Sequence, residues 1–531
     1  MRSYIYLLLL LLLNLLPTTI SSSIKHNILH IISDDLRPDL GCYGLPHRST
    51  PNIDSIAANG TVFTRAYAQQ AVCGPSRNSF LSGRRPDRSR SWNFINHFRE
   101  DHPTDWTSLP GLFAKDSDFV SLGAGKAYHP KLPPAYDGNL SWSKQALPYK
   151  NPCWNTADDS NATFQDGGLP CVFCPIDIAA RLFPTKFNTT VANEFCNIDA
   201  YEDELSVWNA IQQLQTVPAN KFFYLAVGMH KPHLPWMASK EDFAKHPLEN
   251  VQVAKHRYPP VDVPQLALQF TEKQVHASPF DPLRNDSALF ARRAYRATIT
   301  GMDRKLKPLL DALKATGRTP NTAILFHSDH GYHLGELGEW RKFTNFELGT
   351  HVPLIIQVPW LQHQRQHVDS PVELIDLYPT IRDLSGVDLP VNEPPRDGNS
   401  LVPALVSSSN DFVGVASYAL SQYPRRVTHL NETWKANSIL HHDRSTFTHM
   451  GYTIRTTEWR YTEWCQWNGS SLMPIFETVW NTTVNELYDH RNEAVYPVDF
   501  DSDRETINVA KAYPTIAQKL SKIIRKNFPT R

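Results

Sequence analysis

The sequence has no excess of charge of either sign: 53 lysines and arginines face 53 aspartates and glutamates. Nothing global therefore draws it to nucleic acid or to an anionic lipid surface, although local cationic clusters can still meet an acidic substrate. It has no internal repeat, and past Leu16 it has no apolar run long enough to cross a bilayer. Cysteine is sparse and odd in number: Cys42, Cys73, Cys153, Cys171, Cys174, Cys196 and Cys465. An odd count excludes complete pairing within the chain and fits one cysteine with a private role. Cys153, Cys171, Cys174 and Cys196 fall in a Pro-rich stretch and are expected to pair among themselves, in a connectivity that sequence does not give.

What is present begins with a leader. Arg2 precedes an apolar run from Tyr4 to Leu16, and Pro17, Thr18, Thr19 and Ser21 to Ser23 follow, the order of a secretory signal. Residues 1–23 are expected to be removed, leaving a soluble luminal or extracellular protein. The sequons at Asn59, Asn139, Asn161, Asn188, Asn285, Asn431, Asn468 and Asn481 agree with glycosylation in that route. At 531 residues, with 40 prolines, the chain is expected to hold more than one domain and long ordered loops.

Several short apolar runs share one ending. Ile28–Ile32 is β-branched, suits a buried parallel strand, and runs into Ser33-Asp34-Asp35. Two adjacent carboxylates after such a strand suggest a metal site; an Asx turn with solvated acids is the equal alternative. Residues 118–122 run into Gly123–His129, with Lys126 and His129 three apart. Phe222–Val227 is followed by His230, Lys231 and His233. Ala323–Phe326 ends in His327-Ser328-Asp329-His330-Gly331, with Glu339-Trp340-Arg341-Lys342 soon after, and Val352–Val358 is a fifth strand. In open α/β sheets ligands bind beyond the carboxyl ends of strands, so one convergent site explains this grammar.

Other segments are structural. Pro51–Ala57 reads as a helix start, and Tyr295–Leu313 as an amphipathic helix that Pro308 should kink. Residues 131–200 and 255–290 read as irregular loops. Beyond Ser409 short alternating runs, Tyr452–Thr456 and Trp459–Thr462 among them, predict an antiparallel sheet closed by a helix over 513–527. The division expected is a catalytic domain over 24–409 and a C-terminal subdomain over 410–531.

The chain turns on residues 73–83. Pro75 suits the first turn of a helix, Phe80 and Leu81 would face a core, and Gly83 would end it. Cys73 then sits at the positive helix mouth, and Arg77, one turn on, adds a planar donor for an oxyanion. An isolated cysteine there would be read as structural. The full string Cys73-x-Pro75-Ser76-Arg77 with Leu81-Ser82-Gly83-Arg84 resembles the signature of the type I sulfatases, with Ser82 where Thr is commoner. Asp34–Pro38, Gln69–Cys73, His230–His233, Ser328–Gly331, Ser421–Arg425, Gly451–Thr456 and Asn485–Asp489 extend the resemblance over nearly the whole chain, toward the branch that acts on sulfated iduronate. Tyr332 departs from that branch, where Trp is expected.

The resemblance implies an alkaline-phosphatase-like sulfatase fold of the α/β class: a large mixed sheet flanked by helices, plus a smaller C-terminal α+β domain with an antiparallel sheet. It implies that Cys73 is converted to formylglycine by a formylglycine-generating enzyme. It implies one divalent cation held by Asp34, Asp35, Asp329 and His330 with residue 73. Calcium is the cation by analogy and suits three carboxylates, while the nitrogen ligand leaves magnesium open. One hydroxyl of the formylglycine hydrate would attack sulfur, aided by Asp35. Lys126, Lys342 and Arg77 would spread the sulfuryl charge, His230 would protonate the leaving oxygen, and His129 would deprotonate the second hydroxyl to expel sulfate. The substrate implied is a sulfated glycosaminoglycan in the lysosome or outside the cell, bound by Lys126, His230 and Lys342. Arg425 is the candidate partner for a uronate carboxylate, an exposed surface arginine being the alternative. A sulfatase of other sugar or aryl specificity and a non-catalytic glycan-binding protein are the competing readings.

Overall fold

A computed structural model describes residues 24–45, 47–144, 201–269, 279–361, 364–407, 417–427, 439–477, 484–493, 496–500 and 504–528. The expected leader, the four clustered cysteines and the boundary near 410 lie outside them.

The first strands are β1 (Asn27–Asp34), β2 (Thr61–Tyr67), β3 (Phe119–Gly125), β4 (Phe222–Pro232) and β5 (Thr322–Ser328). A hairpin of β6 (His333–Leu334) and β7 (Trp340–Arg341) follows, then β8 (His351–Gln357), β9 (His367–Val368) and β10 (Val372–Glu373). Eight of these form one sheet in the order β10-β2-β8-β5-β1-β4-β3, with β9 also beside β2. β1 is central and pairs in parallel with both β4 and β5. β8 runs antiparallel to β5 and β2, which makes the sheet mixed.

Every residue of β1 is buried, as a strand covered on both faces requires. Its alternate side chains divide between two cores. Leu29 and Ile31 pack with the helices α1 (Pro51–Ala58), α4 (Tyr201–Gln215) and α5 (Asn285–Ala315). Ile28 and Ile32 pack on the other face with α2 (Cys73–Ser82), α3 (Leu109–Lys115) and α6 (Leu377–Ser385).

A second sheet, β11 (Tyr418–Arg425), β12 (His449–Thr456), β13 (Trp459–Asn468), β14 (Met473–Ile475) and β15 (Val484–Asp489), is antiparallel throughout. It is closed by α7 (Pro514–Asn527), whose Ala517, Leu520 and Ile524 share its core. That core also takes in Val72 and Phe343, the neighbours of Cys73 and Lys342.

The structure differs from the sequence expectation in three places. β2 is absent from that expectation, because Thr61, Thr64 and Arg65 break its apolar pattern. α5 starts at Asn285 and runs through Pro308, whose ring lies on the exposed side, where water can take up the freed carbonyl. β4 extends to Pro232, so His230 and Lys231 lie inside the strand.

Candidate active site

The carboxyl ends of β1, β3, β4 and β5 bring the expected residues to one place. α2 begins at Cys73 and stops at Gly83, which has φ of 69°. This sets residue 73 at the helix mouth, as the motif predicts. Cys73 Sγ lies 3.3 Å from Asp34 Oδ1, 3.3 Å from His330 Nε2 and 2.9 Å from Lys342 Nζ. Asp34 ends β1, and Asp35 follows with φ of 64°, a left-handed turn that aims both carboxylates at the same point. Asp35 is fixed through its backbone: its N–H donates to Asp329 Oδ1 (3.2 Å) and its carbonyl accepts from the Tyr295 hydroxyl (2.7 Å).

One ligand atom each from Asp34, Asp35, Cys73 and His330 lies within 4.8 Å of the others. Asp329 stands beside this group, its Oδ1 3.7 Å from His330 Nε2 and its Oδ2 accepting from Arg77 Nε at 3.0 Å. The charge balance suits a cation. Burial, with the negative charges of Asp34 and Asp329, pushes the Asp35 carboxyl up to about 7 against the pull of Lys342. Burial also pushes the Asp34 carboxyl up, yet Lys126, His233, Arg77 and Lys342 together hold it well below the usual range. Burial keeps His330 neutral, at about 4, and its Nδ1 lies 2.9 Å from the Gly331 carbonyl. That contact places the proton on Nδ1 and leaves the Nε2 lone pair facing the carboxylates, the arrangement of a metal-bound histidine.

The cations surround this group. Lys126 pairs with Asp34. Its backbone is gripped between β3 and β4, where a Cβ on Gly228 would fall 2.0 Å from the Lys126 carbonyl carbon; only glycine fits. Lys342 donates to Asp35 Oδ1 at 2.6 Å. The residues on either side of it, Arg341 and Phe343, have φ of 71° and 81°, strain of the kind that accumulates where a side chain must be held in place.

A cleft opens above Cys73, with Asp35, His129, His233, Tyr332, Arg341 and Lys342 in its wall. His129 stacks on Phe94 at 4.2 Å, and its Nδ1 contacts the Pro130 carbonyl at 3.0 Å. Burial and Lys126 hold it neutral, well below the usual histidine range, so it is suited to accept a proton. His230 lies behind the wall, its ring 4.9 Å from that of His233 and its Nε2 3.4 Å from Glu202 Oε2. Sequence reasoning passes over Glu202 and Asp203, which precede the strand by some twenty residues. Asp203 nevertheless accepts the N–H groups of His230 (2.5 Å) and Lys231 (3.2 Å). Only the acidic start of α4 hinted at them.

Arg425 corrects its expectation. It is buried rather than poised at the cleft, and its guanidinium donates to the carbonyls of Leu266 (2.8 Å), Phe343 (2.8 Å) and Ala267 (3.2 Å). With three of its N–H groups engaged by backbone, it holds the Lys342 loop against the second sheet and is not poised at the cleft for a substrate carboxylate. Arg425→Ala leaves three buried carbonyls without a donor, at about 1–3 kcal/mol each when unrelieved. The expected result is a lower melting temperature, with equal loss of activity toward a sulfated disaccharide and a small aryl sulfate. A selective loss on the disaccharide would restore the uronate role.

A family model described as Sulfatase matches residues 26–387. The chain is similar to iduronate 2-sulfatase of Mus musculus, 32% identical over 512 residues, covering 87% of this chain and 88% of that protein. The Homo sapiens iduronate 2-sulfatase matches at 32% over 521 residues with the same coverage. Among solved structures, phosphonate monoester hydrolase SpPMH from Silicibacter pomeroyi superposes with a TM-score of 0.61 at 22% identity, covering 95% of this chain and 96% of that one. This likeness bears on the fold alone.

Proposed function

The chain belongs to the sulfatase family and is a sulfuric ester hydrolase, and from that premise we propose that it removes the 2-O-sulfate of terminal iduronate in heparan sulfate and dermatan sulfate. The observation that carries the reading is the meeting of Cys73 with Lys342, Asp34 and His330 at the floor of the cleft. As a thiol, Cys73 makes little sense as the nucleophile: burial pushes it well above the usual thiol range, away from the reactive thiolate. Oxidised to formylglycine, it supplies on hydration two hydroxyls, one to attack sulfur and one to release sulfate. Because Cys73 is only 1% exposed, that oxidation by a formylglycine-generating enzyme belongs before folding is complete.

The donor set fits a hard divalent cation, calcium in this reading, held by Asp34, Asp35, Asp329 and His330. Bound there, such an ion supplies Lewis-acid stabilisation of charge on the sulfate oxygens. The chain's own residues do the rest. Lys342 and Lys126 bind sulfuryl oxygens, and Arg77 orients Asp329. His129 takes a proton at Nε2. The His230–His233 pair, held neutral by burial, takes up a proton from solvent before delivering it to the leaving sugar oxygen, with His233 the member in the cleft wall. Arg341, a guanidinium in the cleft wall, is the candidate partner for a uronate carboxylate.

The exposed sequon residues Asn59, Asn139, Asn285 and Asn468 support a glycoprotein of the secretory route, in the lysosome or outside the cell. No helix among the described residues is long and apolar enough to cross a membrane. The test is kcat/KM on a disaccharide ending in 2-sulfated iduronate against a small aryl sulfate. The disaccharide is expected to lead by about 100-fold or more, since a site built around polar groups rejects a ligand that leaves them unpaired. Parity, or preference for the aryl ester, would replace this specificity with another.

A further inference from the structure

A second cavity, of about 380 Å³, lies apart from the cleft over Cys73. Arg48, Lys245, His246 and Arg296 line it, with His47 and Asn250, and none of these faces the cleft. The two sites are close along the chain. Tyr295, whose hydroxyl holds Asp35, immediately precedes Arg296 on α5. Asp39, which braces the second cavity, is four residues beyond Asp35, at most about 15 Å of backbone.

Positive charge is in excess there. Among the described residues Asp39 is the one carboxylate in ion-pair range of Arg48 and of Arg296, the latter at 4.0 Å, and it is shared with Arg37 at 3.6 Å. Lys245 is exposed and has no ion-pair partner among the described residues. Arg296 is 7% exposed, and among the described residues its Nε is buried without a hydrogen bond and its one donation is a long contact of 3.4 Å to the Asn250 carbonyl. A guanidinium sequestered with an idle N–H, beside a second arginine, is a costly arrangement that an oxyanion relieves. Consistently, burial and the neighbouring Arg48, Arg292 and Arg37 bring Arg296 down to about 9. His246 is occupied with Thr300, at 2.8 Å, so the arginines and Lys245 are the groups open to a ligand.

We propose that this cavity is a second, non-catalytic site for a sulfated saccharide, its sulfate seated between Arg48 and Arg296 and within reach of Lys245. Planar guanidinium forks match an oxyanion, and the volume suits a sugar ring rather than a bare ion. The choice of a sulfate over a phosphate ester rests on the substrate class proposed above; the demand for an oxyanion does not.

The test is calorimetric titration of the full-length Cys73→Ala protein, which binds without turnover, with a sulfated tetrasaccharide, its desulfated counterpart and inorganic phosphate. Two classes of site are expected for the sulfated saccharide. Lys245→Glu, a change at an exposed position, should weaken one class at least tenfold, and Arg48→Gln should do the same. In the otherwise unaltered enzyme Lys245→Glu should leave turnover of a small aryl sulfate unchanged. A single class of site indifferent to Lys245→Glu would overturn the inference, as would equal binding of the desulfated sugar or tighter binding of phosphate. If the enzyme proved inactive on 2-sulfated iduronate, the proposed specificity would fall, while the calorimetric result would still judge the second site.

Discussion

Cys73→Ala is expected to fold and to lose sulfate-ester cleavage by about 10⁴-fold or more, the scale on which removal of a nucleophile acts. Folding should survive because the surrounding polar frame does not depend on sulfur: Lys342 still donates to Asp35, and Arg77 to Asp329. Cys73→Ser separates the proposed chemistry from ordinary covalent catalysis. A serine has one hydroxyl, enough to displace the sugar once but with no second hydroxyl to release sulfate. It should give at most one turnover per chain, seen as a burst without a steady state. In the parent enzyme the tryptic peptide spanning 66–77 should carry an aldehyde or its hydrate in place of the thiol. Steady turnover by the serine variant near the parent rate, or an intact thiol in a fully active parent, would sink the formylglycine reading.

The sequence disclosed the site better than it disclosed its frame. Asp34, Asp35, Lys126, Asp329 and His330 were legible because polar groups closing apolar strands are physically costly unless they share a purpose. Cys73 was legible because a proline and a glycine bracket its helix. β2 was not, since its buried Thr61, Thr64 and Arg65 are satisfied by partners hundreds of residues away, such as Asp369 for Thr64. Arg425 was misjudged for the same reason. Its carbonyl partners belong to segments remote in sequence, and an arginine beside a matched string looks the same whether it meets a ligand or a main chain.

The second sheet also has a role that its alternating pattern conceals. Arg455 and Arg460, on neighbouring strands, donate to Glu347 Oε2 at 2.9 Å and 2.5 Å, and Arg425 holds the Phe343 carbonyl. Glu347 and Phe343 lie on either side of the turn that follows Lys342. The C-terminal sheet therefore braces the Lys342 loop from beneath, and it draws on buried charge to do so, held because every carboxylate in the network has a guanidinium partner.

Asp35→Asn should sharply weaken cation binding while sparing the fold; its carboxylate holds Lys342 as that of Asp329 holds Arg77. Position 35 has φ of 64°, a conformation that asparagine adopts as readily as aspartate and that most residues resist. The backbone contacts of residue 35 to Asp329 and Tyr295 do not involve its side chain. The substitution thus removes one negative charge from a crowded group and, with it, the charged partner of Lys342, whose donation the amide oxygen can still accept. Metal affinity is expected to fall by about 100-fold or more, and kcat by about 10³-fold, as for loss of a charge-stabilising contact in a dry site. Stability should move the opposite way in metal-free protein. Asp34, Asp35 and Asp329 repel one another without a cation, so the metal-free variant should melt no lower than the metal-free parent. Added calcium should then raise the melting temperature of the parent but not of the variant, because only the parent gains free energy from binding. Metal content, turnover and the two melting curves are measured together. Bound metal and turnover both at parent levels would remove Asp35 from the cation site, and a metal-free variant that melts far below the metal-free parent would show that its carboxylate serves the fold instead.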